Sequence, residues 1–263
     1  MPALNHQTVD QLMNWLLLSG EPTPFNLTVD KITAASGLFG QLFIKAPSFQ
    51  LDITKVTAFE ILIQTQFQAE AGHELRYDCP YPKIDFLRYL TSRGYLIQGA
   101  KTLRSDPLKP LPQTDWQDLP MNAVIASSDG IWPLFFALLN RPALRGSLRD
   151  ACFVVEVSPE QSERYYFFSV NQASLKPELW SDGMIYILPQ ETFRPTTQGP
   201  VHVDEWASPK IVPIVAQLPV TPQDFPFLKN VTGHSEDEDL VTSWLQFRPR
   251  QAANANQLHA SGG

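Results

Sequence analysis

The chain lacks most of what would support covalent or metal-based function. Its 263 residues include two cysteines, Cys79 and Cys152; two thiols make no disulfide framework and suit a reducing compartment. Five histidines are scattered with no pair at ligand spacing, so no metal is expected. Basic side chains are the minority, 20 against 27 acidic, for a formal charge of -7. Broad binding to a phosphate backbone needs clustered Lys and Arg, so nucleic acid is not an expected partner, although one local basic pocket remains allowed. Long apolar runs are missing too. The longest, Ile131 to Leu139, contains Pro133 and falls far short of the roughly 20 residues that span a bilayer. The Trp15–Leu18 cluster has no basic stretch before it and no small-residue cleavage site after it. The expectation is a cytoplasmic protein with no membrane contact. The phosphate-cradling loops G-x-G-x-x-G and G-x-x-x-x-G-K-[ST] are absent as well.

What is present is apolar substance, 43% of residues with 11% aromatic, enough for one sizeable core or two small ones. Val9, Leu12, Met13, Leu16 and Leu17 form one helical stripe, stopped by Ser19-Gly20-Glu21-Pro22. Gly37 and Gly40 read as breakers, and Leu42, Ile44, Phe49, Leu51 and Ile53 as short strands. A helix is predicted from Val56 to about Ala71, and another from Lys83 to Arg93 with Gly94 as its C-terminal cap.

The texture then turns to β, with strands expected over Tyr95–Gln98, Ala123–Ala126, Cys152–Val157, Arg164–Val170, Met184–Leu188 and Ile211–Val220. One helix, Gly130 to Asn140 with Asp129 as cap, interrupts them. Helices followed by many short strands describe an α+β chain with a mixed or antiparallel sheet. The proline-bound stretch Tyr77–Pro82 divides it into a helical accessory region (1–80) and an α+β domain (81–250). The polar 251–263 reads as a flexible tail.

Several residues have ordinary structural readings. Tyr165-Tyr166-Phe167-Phe168 alternates across a strand, one face toward the core and the other toward a groove. Extended geometry puts His202 and Glu205 on opposite faces, which disfavours a dyad. Arg141, Arg145 and Arg149 are spaced as a helix-end cluster or a pyrophosphate clamp. Cys152 reads as inert buried packing.

Four segments, in order, carry a resemblance: Gly94-Tyr-Leu-Ile-Gln-Gly-Ala100, Asn122 to Ala137, Gly183-Met-Ile-Tyr-Ile-Leu-Pro189, and Glu205-Trp-Ala-Ser-Pro with Val212-Pro213 and Asp224-Phe-Pro226. Together they resemble uncharacterised bacterial proteins patterned like the ADP-ribosyltransferase superfamily, over roughly Tyr81 to Leu228. The resemblance implies a split mixed or antiparallel sheet, preceded here by the helical N-terminal region. NAD would be the substrate, with no metal. In such enzymes a His-Gly-Ser or His-Gly-Thr strand grips the donor, an aromatic residue stacks on nicotinamide, and a Glu contacts the ribose. A carboxylate suits an oxocarbenium-like centre, as in glycosidases.

Mapped here, the resemblance places Gln98, Gly99 and Ala100 at the first motif, where His and a hydroxyl residue are replaced. It places Ile125 at the aromatic position, with Trp132 as a substitute wall. The functional acid is Glu205, with Glu191 as the alternative. These departures leave transfer activity open, reduced or lost. The leading expectation is an ADP-ribosyltransferase-like protein with a cleft for NAD or an ADP-ribose-type nucleotide. The alternative is a non-catalytic module that docks a protein partner through its N-terminal helices. An RNA 2'-phosphate-processing relative ranks third, because the chain is acidic.

Overall fold

The computed structural model describes residue 7 and residues 29–67, 72–116, 118–158 and 161–260. The predicted helix around Val9–Leu17 lies outside these. Among the described residues, no helix is long and apolar enough to cross a membrane.

Helix α1 (Val29–Leu42) presents Ala35, Phe39 and Leu42 to the interior, followed by Phe43. The first three recur at helical spacing, which is why a segment with two glycines stays helical. Gly37 and Gly40 cost about 1 kcal/mol each against alanine; burial of the two phenylalanines at roughly 1.5–3 kcal/mol each outweighs that. The reading of Gly37 and Gly40 as breakers therefore fails. Of the short strands expected at Leu42–Ile53, only β1 (Ile44–Lys45) forms.

Asp52 caps helix α2 (Ile53–Gln66), its carboxylate accepting the Lys55 N–H at 2.8 Å. Phe59 on α2 meets Phe86 and Tyr89 of helix α3 (Lys83–Ser92), with ring centroids 5.4 and 5.5 Å apart. Gly94 follows α3 at φ +84°, the left-handed cap expected of it.

Three sheets follow. The first joins β1, β6 (Leu148–Ser158), β7 (Gln161–Asn171), β10 (Val201–Val203) and β13 (Thr232–His234). It is antiparallel except where β13 runs parallel to β7. The second orders β4 (Leu111–Thr114), β5 (Pro120–Ala126), β11 (Trp206–Ser208) and β9 (Arg194–Pro195). The third orders β2 (His73–Glu74), β12 (Ala216–Val220), β8 (Gly183–Pro189) and β3 (Tyr95–Ala100). The protein is thus α+β, with antiparallel and mixed sheets.

The third sheet is covered on both sides. Ile97, Ile185 and Ile187 point into the main core, while Leu96, Met184, Tyr186 and Leu188 enter a smaller core with Phe193 and Ile214. That explains near-continuous apolar strands without polar alternation. Helix α4 (Trp132–Leu138) rests on β3 and β8. Ala35, Phe39, Phe59 and Leu75 share the main core with the strands beyond residue 81, so the described part of the N-terminal region packs directly on the sheets.

Three further expectations change. All of Tyr165–Phe168 is buried, because Phe39, Phe43 and Phe247 pack on one face of β7 while Phe135, Phe225 and Phe227 pack on the other; Phe167 also borders a cleft. The strand expected from Ile211 begins only at Ala216, after Pro213. The tail is helical: α5 (Leu240–Ala260) runs through most of it, anchored by buried Trp244 and Phe247.

Candidate functional site

The second and third sheets come together at one point. Ile97 of β3 and Ser127, just past β5, exchange two backbone hydrogen bonds of 2.9 Å each. Away from this bridge the strands diverge, and a cleft of about 270 Å³ opens between β3, β5 and α4. Gln98, Gly99, Ile125, Trp132, Arg141 and Glu205 all lie on its wall. Five of the six residues placed at the site from the sequence therefore converge. Ala100 is not on this wall; it packs beside the smaller core.

The Gln98 side-chain amide donates to the Ile125 carbonyl at 2.6 Å, spanning the split. A carbonyl partner fixes the amide orientation and leaves Oε1 as an acceptor. Gln113 from β4 does the same to the Ala123 carbonyl, so two glutamines hold alternate carbonyls of β5. Gly99 has a packing reason for being glycine: a Cβ there would overlap the Pro133 carbonyl oxygen and stand 2.8 Å from Ala137 N. Helix α4 thus occupies the space above Gly99, as it does above Gly183.

Glu205 precedes β11 and is 9% exposed. Its Oε1 accepts the Thr196 hydroxyl at 3.0 Å. Burial pushes its carboxyl pKa up, countered by the Thr196 hydroxyl and the Trp116 backbone N–H. Glu191 is exposed and lines neither this cleft nor its neighbour, which favours Glu205 between the two candidates.

A larger cleft of about 710 Å³ adjoins the first, sharing Trp132, Phe136 and Glu205. Here lies Asp150 of β6, which sequence reasoning missed. Its Oδ1 accepts the Trp132 indole N–H at 2.6 Å. Burial raises its pKa to about 7; the Trp132 hydrogen bond and Arg141 oppose the rise, and Glu205 adds to it. A carboxylate directly before the apolar run Ala151–Val155 was the available signal. Trp132 lines both clefts, its ring edge-on to Phe136 at 5.8 Å.

Behind these walls a polar cluster fixes the backbone. The Asp204 carboxylate accepts the Ser127 and Ser128 hydroxyls at 2.6 and 2.5 Å, joining the end of β5 to the residue before Glu205. Asp129 accepts the N–H groups of Ile131 and Trp132 at 2.9 and 2.6 Å, and also the Tyr166 hydroxyl at 2.9 Å. It lies two residues before Ile131, the N-cap of α4, so it holds the turn into the helix and is not the cap expected at that position. Arg164 lies 3.6 Å from Asp129; burial works against its charge, but Asp204 and Asp129 hold the guanidinium protonated.

The three arginines do not form a clamp. Arg141 borders the small cleft, Arg149 the large one, and Arg145 neither. The intervening chain is a 3-10 turn and a strand, not a helix, so four-residue spacing aligns nothing. Arg149 is already committed to the Glu238 and Asp239 carbonyls and the Ser243 hydroxyl. His202 turns to the Gly199 carbonyl in a separate cleft, away from Glu205. The strand ends at Val203 and the chain turns there, the Glu205 N–H donating to the Val203 carbonyl, so it is this turn and not extended geometry that keeps a dyad from forming. Cys152 is fully buried, and burial raises its thiol pKa well above the ordinary range.

Among the described residues, no group of three or more His, Cys, Asp or Glu is arranged to hold a metal ion. Compared with known protein families, curated proteins and solved structures, the chain matches none.

Proposed function

We propose that this is an ADP-ribosyltransferase-like protein whose small cleft binds the ribosyl end of NAD or an ADP-ribose-type nucleotide, with transfer chemistry reduced. One observation carries the reading: Gln98, Ile125, Trp132 and Glu205 come from segments far apart in sequence and line the same cleft.

The residue chemistry fits a ribosyl ligand. Glu205 and the free Gln98 Oε1 accept hydrogen bonds from ribose hydroxyls. Trp132 supplies the aromatic surface that Ile125 lacks. Exposed Arg141 at the rim meets a phosphate. A volume of about 270 Å³ suits one base-ribose unit, with the remainder of the ligand outside. When ionised, Glu205 also places negative charge beside an oxocarbenium-like centre.

Reduced transfer follows from how the first motif is used. The Gln98 amide is committed to Ile125, and Gly99 lies beneath α4. Both serve the scaffold, and a scaffold persists without its chemistry. Calorimetric titration of wild type, Glu205→Gln and Trp132→Ala with NAD and ADP-ribose tests the reading. Binding by wild type that weakens at least ~10-fold in both folded variants supports it. Absence of binding by wild type, or equal binding by all three, rejects it.

A further inference from the structure

Among the described residues, three line both clefts: Trp132, Phe136 and Glu205. What holds each of them therefore shapes the smaller cleft. Glu205 is held by the Thr196 hydroxyl at 3.0 Å, and Phe136 is carried by α4. Trp132 is tied at both ends. Its backbone N–H donates to Asp129 at 2.6 Å, which fixes the main chain at the start of α4. Its indole N–H donates to Asp150 at 2.6 Å, a bond that reaches the ring itself.

The second bond is the one that can aim the ring. Phe136, edge-on at 5.8 Å, lies one turn further along the same helix, so it does not tie the ring to another element. Asp150 does, because it belongs to β6. It sits opposite Phe168 in a ladder that pairs Leu148 through Glu156 with β7 without interruption. A side chain on a paired strand is a more precise anchor than one on a loop. An N–H···O bond also has a preferred line and weakens steeply away from it. The indole nitrogen is a donor only, so an acceptor is what it needs at this place. Asp150 lines the larger cleft but not the smaller one, and its link to the smaller one runs through Trp132.

We propose that Asp150 is a positioning residue: its carboxylate aims the Trp132 ring and so sets the aromatic wall that a ligand of the smaller cleft meets. What this says of a ligand rests on the nucleotide reading; what it says of the ring does not. A charge-assisted bond is about twice as strong as a neutral one, so the ring is held best by a carboxylate, less by an amide and least with no acceptor.

The test uses the full ¹⁵N-labelled chain at pH 8, where Asp150 is largely ionised. Asp150→Asn keeps an acceptor without the charge, and Asp150→Leu keeps the shape without an acceptor. Trp132→Phe assigns the Trp132 indole N–H resonance among the six tryptophans. Relaxation of that N–H reads the ring directly. An order parameter of about 0.85 is expected in wild type, below about 0.6 in Asp150→Leu, and between them in Asp150→Asn. Calorimetry with ADP-ribose follows the same order, with affinity at least ~5-fold weaker in Asp150→Leu and partly restored in Asp150→Asn. In a Trp132→Phe background, Asp150→Leu has no further effect on affinity.

A residue that only supports the fold lowers the denaturation midpoint but leaves the order parameter and the affinity of the folded protein alone. An order parameter below about 0.6 in wild type, or equal in all three proteins, overturns the proposal. Equal ADP-ribose affinity in the three overturns it as well. So does a further loss in the Trp132→Phe background, which shows the Asp150 charge acting directly through Arg141 at the smaller cleft. If wild type does not bind ADP-ribose, the nucleotide reading fails, and the order parameters still decide whether Asp150 holds the ring. Should Asp150→Leu not fold, equal order parameters in wild type and Asp150→Asn overturn the proposal.

Discussion

The Gln98 amide and the Ile125 carbonyl, 2.6 Å apart, tie β3 to β5 beside the Ile97–Ser127 backbone bridge. The bond determines how far the split opens. Gln98→Leu keeps side-chain bulk and leaves the carbonyl unpaired, so a loss of about 1–2 kcal/mol in denaturant stability is expected. On the proposed function, binding of ADP-ribose is expected to weaken with it. A stability unchanged within error shows that water replaces the amide at no cost.

Two glycines predict opposite signs. Gly99→Ala drives a methyl group into α4 and destabilises by about 1–3 kcal/mol. Gly37→Ala, exposed in α1 with nothing within 4 Å of the added carbon, stabilises by up to about 1 kcal/mol. Urea denaturation of both variants checks the pair, and the contrast disappears if α4 does not seat on β3.

Asp150 makes stability depend on pH in a definite direction. Its folded pKa is raised to about 7 from an ordinary 3.8. Between these values the folded state holds the extra proton, so stability falls as pH rises through the interval and levels off above it. Asp150→Asn keeps an acceptor for Trp132 and carries no charge. Its advantage over wild type is expected to grow from pH 4 to pH 7, reaching about 2 kcal/mol after allowance for water in the open cleft. Parallel stability curves for the two proteins contradict the raised pKa.

Trp132→Phe removes the N–H that lowers the Asp150 pKa. The Asp150 carboxyl is then expected to titrate above its wild-type value, read from its ¹³C carboxyl resonance. A downward movement excludes the hydrogen bond as a stabiliser of the ionised form.

The two thiols are expected to react differently. Cys79 is half-buried, whereas Cys152 is enclosed and its thiol held protonated by burial. A chromogenic disulfide reagent is expected to modify one thiol in the native chain and the second only on denaturation. Rapid modification of both places Cys152 closer to solvent than β6 allows.

The sequence by itself determined what local patterns control. Apolar spacing and Gly94 specified α3, and β-rich runs located β3, β5, β6, β7 and β8 in order. Asp129 marked the turn into α4, because its carboxylate bonds the nearby Ile131 and Trp132 N–H groups, although the N-cap is Ile131. Tertiary packing decided what depends on distant partners. Helix α1 forms across two glycines because β6 and β7 bury its phenylalanines, and α5 extends through a polar tail because Trp244 and Phe247 anchor its start. The convergence of Gln98, Trp132 and Glu205 rests on the split between sheets, and Asp150 joins them only because β6 runs alongside. Hydrophobic periodicity records which face of an element is buried; which other element covers that face is decided by the whole chain at once.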